Sequence, residues 1–354
     1  MRGEISTDLQ RARDLVMLHG WNATSYQIVN PGIERWFSTS GDAVVGYVRK
    51  KGVRVIAGPP ICELDRLGDV VAEWESACAA SGDRICYFGA AGRIEGLFRA
   101  NPCYSFVLLG AQPVWAPAAW TSIIERDGSL RAQLNRARNK GVRVEEWPAK
   151  KATSNEELKR ILREWLETRG LPPLHFLVEP ETLAFLEDRR IFVAVRGSEP
   201  VGFTVLSPVP KRNGWLTEQF PRGRSAPNGT VETLMDAAVN AVARDGADYL
   251  TMGLVPLSSR LPDLAETQRW LTFLLHWVRL HGRRFYNFDG LEWFKAKFHP
   301  DSWEPIYAVS KEPKVSVRTL YAIAAAFSES PPPIALAKGM AKAAKQEISW
   351  LFRR

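Results

Sequence analysis

The sequence predicts an α/β (α+β) chain of two successive halves of similar build, each a mixed sheet flanked by helices. Three observations predict it. Segments rich in β-branched and aromatic residues alternate with segments of helical period along the chain. A cycle of helix followed by strands runs to about residue 150 and then starts again, although no close sequence repeat is visible. The 354 residues suffice for two domains of ordinary size, and 45% hydrophobic against 24% charged residues is the composition of a folded soluble protein. The expected units are 1–148, 149–312 and a helical basic tail, 313–354.

Thr7 or Asp8 caps a first helix that runs to His19, with Gly20 as its stop. Lys51-Gly52 turns one strand into the next, making a hairpin. Asp69 is placed to cap a helix over 69–80, and strands are expected over 85–89 and 105–109. The helix around 129–138 puts Leu130, Leu134 and Ala137 on one face and Arg131, Asn135 and Arg138 on another, with Arg136, Lys140 and Arg143 nearby. Five cations within thirteen positions and no acid among them make either a solvated face or a phosphate-binding one. Residues 144–155 read as a linker. Beyond it a helix over 155–168 and strands over 191–196 and 201–207 repeat the first pattern.

Residues 213–259 read as strand, shaped loop, helix and second strand. The first strand is expected over 215–220. Pro221, Gly223, Pro227 and Gly229 then exclude regular structure, and Asn228-Gly229 turns the chain toward Thr230, the expected helix cap. Val231, Leu234, Met235, Ala238 and Val239 repeat at helical spacing, Gly246 ends the helix, and a strand over 249–252 closes at Gly253. A loop feeding a helix N-terminus suits an anion, and this one carries Arg222 and Arg224; it is equally an ordinary βαβ connection with surface arginines. A helix over 266–281, a strand over 284–288, a helix carrying Lys295 and Lys297, and a strand over 303–309 follow. In the tail, a helix over 317–327 precedes Pro331-Pro332-Pro333 and a last segment with a weak apolar face flanked by lysines. That segment either lies on an anionic membrane surface or docks on the protein.

Lys plus Arg number 47 against 39 Asp plus Glu, for a charge of +8 and a pI near 9.4, which points to an anionic partner: RNA, lipid headgroups or a nucleotide. Cys62, Cys78, Cys86 and Cys103 lack zinc-knuckle spacing and read as buried free thiols. His276 and His281 do not share a helical face, so no metal and no cofactor is expected. The charged N-terminus has no signal-peptide core, and no run approaches the roughly 20 apolar residues of a membrane span. A cytoplasmic protein, peripheral on the inner face of the membrane if its substrate is a lipid, is the expectation.

GDAVVGYVRKKGVRVIAGPPI, SLRAQLNRARNKGVRVE, GWLTEQFPR, APNGTVETLM, GLVPLS and FYNFDGLEWFKAKFHPDSWEP occur in this order. Together they resemble the cytosolic catalytic domain of the phosphatidylglycerol lysyltransferase (multiple peptide resistance factor) family, over about residues 21–309. The resemblance implies two tandem GNAT-like acyltransferase domains that move an amino acid from aminoacyl-tRNA to the hydroxyl of an anionic phospholipid. By position it implies Arg222 facing the substrates, Asn228 and Gly229 shaping the helix entrance with Glu232 just inside, Ser258 after the next strand, and Lys295 and Lys297 on the basic helix. The strand ends in Glu218-Gln219 where relatives carry an acid nearer the arginine, and the chain lacks the multi-span membrane portion of larger relatives.

The residues fit such chemistry on their own terms. An aminoacyl ester is already activated, so transfer needs positioning, a base and positive charge, with no metal and no covalent nucleophile. Glu218 or Glu232 can orient the amino group or move a proton, Arg222 can hold a phosphate or an oxyanion, and Arg131, Arg136, Arg138 and Lys140 can grip a tRNA backbone. An acyl-CoA-dependent GNAT N-acyltransferase is the alternative. RGRSAPNG fits its pyrophosphate loop poorly, because Pro227 removes an amide donor. A non-catalytic RNA- or membrane-binding relative is the third reading.

Overall fold

The computed structural model describes residues 7–168, 176–177, 180–261 and 288–328. The helix expected over 266–281, the strand expected over 284–288 except Phe288, and the tail segment past 328 lie outside the described residues; Phe288 opens a helix instead of ending a strand.

Among the described residues, twelve strands form one mixed sheet. In chain order they are β1 (Glu34–Phe37), β2 (Val44–Lys50), β3 (Val53–Ala57), β4 (Arg84–Ala90), β5 (Ser105–Trp115), β6 (Val142–Trp147), β7 (Arg190–Arg196), β8 (Glu199–Val209), β9 (Gly214–Thr217), β10 (Tyr249–Thr251), β11 (Val255–Pro256) and β12 (Ser302–Ser310). Across the sheet the order is β1-β2-β3-β4-β12-β5-β10-β9-β8-β7-β6, with β11 also on β5. The architecture is mixed α/β with helices on both faces, as the sequence predicts, but the two expected sheets are one, joined where β5 pairs with β10.

Local chemistry explains the elements. Lys51 (φ 53) and Gly52 (φ 69) both adopt left-handed backbone, as a two-residue hairpin turn between β2 and β3 requires. β8 is buried from Pro200 to Val209, because helices cover it on both sides. In the first half, Thr7–His19 and Val317–Ala326 pack Ala12, Val16 and Ala322 against one face. Leu67–Ala80 packs Trp74 and Cys78 against the other. In the second half, Thr230–Arg244 buries Leu234, Met235, Ala238 and Val239 on one face, and Glu156–Glu167 buries Leu158, Ile161 and Leu162 on the other.

Several expectations are corrected. Residues 142–147 are strand β6, paired antiparallel with β7, and Ala149–Thr153 is a short helix, so the stretch read as a linker is structured. Its alternation was obscured by the paired acids Glu145 and Glu146. β9 ends at Thr217, earlier than expected, while β5 extends to Trp115. The helices Gly92–Phe98 and Trp120–Arg126 and the strand β1 had no clear periodic signal. Cys62, Cys78 and Cys86 are buried and free, whereas Cys103 is exposed; burial pushes the Cys62 and Cys78 thiols up to about 11. No described helix is long and apolar enough to cross a membrane.

The two halves exchange strands. β12, near the end of the described chain, lies between β4 and β5, pairing with β5 from Ser302 to Ser310. β6, which precedes the expected boundary, forms the far edge beside β7. A polar seam ties the halves further. Arg13 grips Asp188, Tyr26 donates to the same carboxylate at 3.1 Å, and Arg189 donates to Asn30 Oδ1 at 3.0 Å.

Gly214 is required where β9 meets β10, since a Cβ there would lie 2.2 Å from the Tyr249 carbonyl oxygen. Gly214→Ala is expected to lower the unfolding free energy by about 2–3 kcal/mol, measured by denaturant titration. An unchanged midpoint would show that the parallel pair yields without strain.

Candidate active site at the parting strands

β9 and β10 pair in parallel only at Gly214, Trp215 and Leu216 against Tyr249, Leu250 and Thr251. Beyond that they separate. The continuation of β9 stays on β8, with Glu218 N–H donating to Val205 O at 2.9 Å and Phe203 N–H to Pro221 O at 2.9 Å. The continuation of β10 stays on β5, where Leu250 pairs with Trp115 and Val255 with Ala111. The carbonyls between lose their ladder partners, and buried carbonyls need donors. Lys295 supplies them, its Nζ donating to Met252 O at 2.6 Å, Gly253 O at 3.0 Å and Leu254 O at 3.1 Å. Burial pushes the Lys295 ammonium down to about 7.

Lys295 stands on the Phe288–Ala296 helix, and Lys297 follows just past its end. Lys297 Nζ donates to Glu232 at 2.6 Å and lies 4.4 Å from the Phe294 ring centroid, so a carboxylate and an aromatic face hold it together. Glu232 sits in the first turn of the Thr230–Arg244 helix, where its charge also suits the helix dipole. The Phe288–Ala296 helix ties to the loop after β11 through Glu292, which accepts Ser259 N–H at 2.9 Å and Ser259 Oγ–H at 2.8 Å. Ser258, the predicted residue next to it, is half-buried and accepts the Arg260 amide at 3.2 Å.

The loop itself is shaped as its sequence demands. Gly229, not Thr230, is the residue before the helix, at φ 94, and a Cβ there would lie 2.2 Å from Gln133 O. Thr230 is the first helical residue and its hydroxyl donates to Pro227 O at 2.6 Å, bracing the turn. Asn228 is exposed. Arg222 bridges to Gly202 on β8 through its backbone, and its side chain is exposed. No hydrogen bond or ion pair joins Arg222 to any described residue, Glu232, Lys295 and Lys297 included.

Glu218 is placed differently from Glu232. Its side chain, 7% exposed, accepts from Ser207 Oγ, pairs with the fully buried Arg189 at 3.3 Å and receives Gln27 Nε2 at 3.4 Å from the first half. The structure therefore brings Glu232 and Lys297 together, sets Lys295 beneath the adjoining loop, and puts Glu218 in the seam between halves.

Of the predicted tRNA cations, Arg131 donates to Ile124 O at 3.1 Å and also to Glu125 O, capping the Trp120–Arg126 helix. Arg136 donates to Gln133 at 3.3 Å, and Arg138 pairs loosely with Asp236 at 3.6 Å. Lys140 is exposed. These exposed contacts exchange readily with another anion. The sequence reading missed Asp236 and Asn240, although both follow Glu232 at four-residue steps along one helix face. It also missed Asp127, the N-cap of the Gly128–Asn139 helix, whose carboxyl the Leu130 amide and then His299 hold below the usual carboxylate range.

The family model described as "Phosphatidylglycerol lysyltransferase, C-terminal" matches residues 13–310. The phosphatidylglycerol lysyltransferase of Bacillus subtilis (strain 168) is 22% identical over 331 residues, covering 91% of this chain and 37% of that protein. The chain thus spans little more than a third of the curated relative it matches. A C-terminal domain assigned as a lysylphosphatidylglycerol synthetase from Agrobacterium fabrum superposes with a TM-score of 0.76 at 20% identity, covering 92% of this chain and 98% of that one. L-PGS from Bacillus licheniformis gives 0.74 at 20% identity, over 90% and 95%. At these identities the structures show a shared fold.

Because the folded Lys295 sits near 7 and the unfolded lysine near about 10.4, the unfolded chain binds more protons between those values and stability rises with pH there. Relative to Lys295→Met, the unmodified chain is expected to gain about 2 kcal/mol of unfolding free energy between pH 7 and 9. Denaturant titrations at the two pH values measure it, and parallel pH profiles for the two proteins would refute the buried-amine account.

Proposed function

The chain belongs to the phosphatidylglycerol lysyltransferase C-terminal family, and from that membership we propose that it is an aminoacyltransferase. It moves an amino acid from aminoacyl-tRNA to the hydroxyl of a phosphatidylglycerol-like anionic phospholipid, working from the cytoplasm at the membrane surface. The observation that carries this reading is the family match from residue 13 to residue 310, which takes in every candidate residue of the site.

The reaction is an ester exchange. The lipid hydroxyl oxygen attacks the aminoacyl carbonyl carbon, the hydroxyl proton passes to a base, and the tetrahedral oxyanion collapses with loss of the tRNA ribose oxygen, which takes a proton back. Products are an aminoacylated lipid and deacylated tRNA. Glu232 is the base, since it lies at a helix mouth and its partner Lys297 can turn its ammonium toward a developing oxyanion. Arg222, exposed and unpaired among the described residues, holds a phosphate. Asn228 and Ser258 line the approach, and Gly229 lets the loop pass close against Gln133. Lys295 acts through the carbonyls of the loop it fixes, and Glu218 acts as a positioning residue that anchors the strand end leading to Arg222.

The test mixes the purified chain with labelled aminoacyl-tRNA and phosphatidylglycerol vesicles and follows label into extracted lipid. Glu232→Gln is expected to lower kcat by about 10²-fold or more, and Arg222→Ala to act mainly on KM. Acetyl-CoA in place of the tRNA is expected to yield no acylated lipid. Absence of aminoacylated lipid with any charged tRNA would overturn the proposal, and full turnover by Glu232→Gln would remove its role as base.

A further inference from the structure

A groove lies on the described surface outside the site. It lies between the Trp120–Arg126, Gly128–Asn139 and Thr230–Arg244 helices and encloses about 350 Å³. We propose that this groove seats an unpaired nucleotide near the aminoacylated end of the RNA donor, an inference that rests on the aminoacyl-tRNA reading above.

Its position argues for this first. Glu232, Asp236 and Asn240 succeed one another at four-residue steps on the Thr230–Arg244 helix, about 6 Å per step, so the groove opens one turn beyond the proposed base. A strand whose end reaches Glu232 has its neighbouring nucleotides over Asp236 and Asn240. The chemistry of the lining argues next. Asp236 Oδ1 is satisfied, accepting from Trp120 Nε1 at 3.0 Å and from Asn240 Nδ2 at 3.0 Å. Its Oδ2 faces only Arg138, at 3.6 Å, beyond hydrogen-bond length. That oxygen is free to accept from an exocyclic amine, as on cytosine or adenine. Asn135 and Asn240 add amide groups beside it.

Charge selects between a base and a bare phosphate. Arg131 and Arg138 in the lining are matched by Glu125 and Asp236, so the formal charge of the groove is close to neutral. A free phosphate gains little there. A nucleotide places its base against the carboxylate and its phosphate at the arginines, and Arg138, 58% exposed, can turn from one to the other.

The probes are deacylated tRNA, intact or trimmed of its unpaired 3′ end, measured by anisotropy at fixed salt with the full chain. The unmodified protein is expected to bind intact tRNA about 10-fold more tightly than trimmed tRNA. Asn240→Ala is expected to lose about 5-fold or more on the intact RNA and nothing on the trimmed one, and Arg138→Ala, which also removes a backbone cation, to lose more on the intact RNA than on the trimmed one. Unchanged Tm and unchanged binding to phosphatidylglycerol vesicles would confirm that both variants fold. Equal binding of the two RNAs by the unmodified protein, or full discrimination by both variants, would overturn the inference. If the unmodified protein transfers the amino acid while both variants keep its KM for aminoacyl-tRNA, the groove assignment alone fails. If it neither binds tRNA nor aminoacylates lipid, the functional reading fails and takes the groove with it.

Discussion

One ammonium group holds the site open. Where β9 and β10 part, the sheet gives up a ladder, and the Lys295 side chain replaces the lost donors with three hydrogen bonds to consecutive carbonyls. A water-filled gap would satisfy the same carbonyls without fixing them. A lysine anchored on a helix fixes both the loop and the helix, and so sets Ser258 and Ser259 on one side and Lys297 on the other. Burying a cation costs several kcal/mol when it is unpaired, and carbonyl dipoles offset only part of that. Burial and hydrogen bonding thus pull the same proton in opposite directions.

The seam between the halves follows a related logic with the opposite outcome. Arg189 is wholly buried, yet it meets Glu218, Ser207, the Phe185 carbonyl and Asn30, so its donors are spent on defined acceptors. Such a network adds little net stability over an apolar contact of equal volume. It does penalise any other arrangement of the halves, because a shift would strand a charge away from water. The consequence for the site is that Glu218, just past the end of β9 on the way to Arg222, is fixed by groups from both halves.

How much of this is legible in sequence depends on how far apart the interacting residues lie. The Lys51-Gly52 hairpin and the Thr230–Arg244 helix declare themselves, since turn residues and apolar period are local. β6 does not, because its partner β7 begins at Arg190, and only that distant strand makes Val142–Trp147 extended. The site divides in the same way. Arg222, Glu232 and Lys297 are conspicuous as charges near a broken strand, but the pairing of Glu232 with Lys297 spans 65 positions and has no local trace. Glu218 looks the same as Glu232 in sequence, and only packing against Arg189 distinguishes a buried structural carboxylate from one at a helix mouth. Asp236 and Asn240 were within reach of a helical-wheel argument. Trp120, which faces them from another helix, was not.

The place of β12 bears on how the chain is made. A growing polypeptide leaves the ribosome N-terminus first, and β4 and β5 are complete by residue 115. In the folded chain they do not pair with each other, because the slot between them is filled by residues 302–310. Until those residues emerge, two strand edges wait unpaired, the condition in which sheets recruit foreign strands. Maturation of the first half is therefore timed by synthesis of the second, and a chain released early would carry an open sheet.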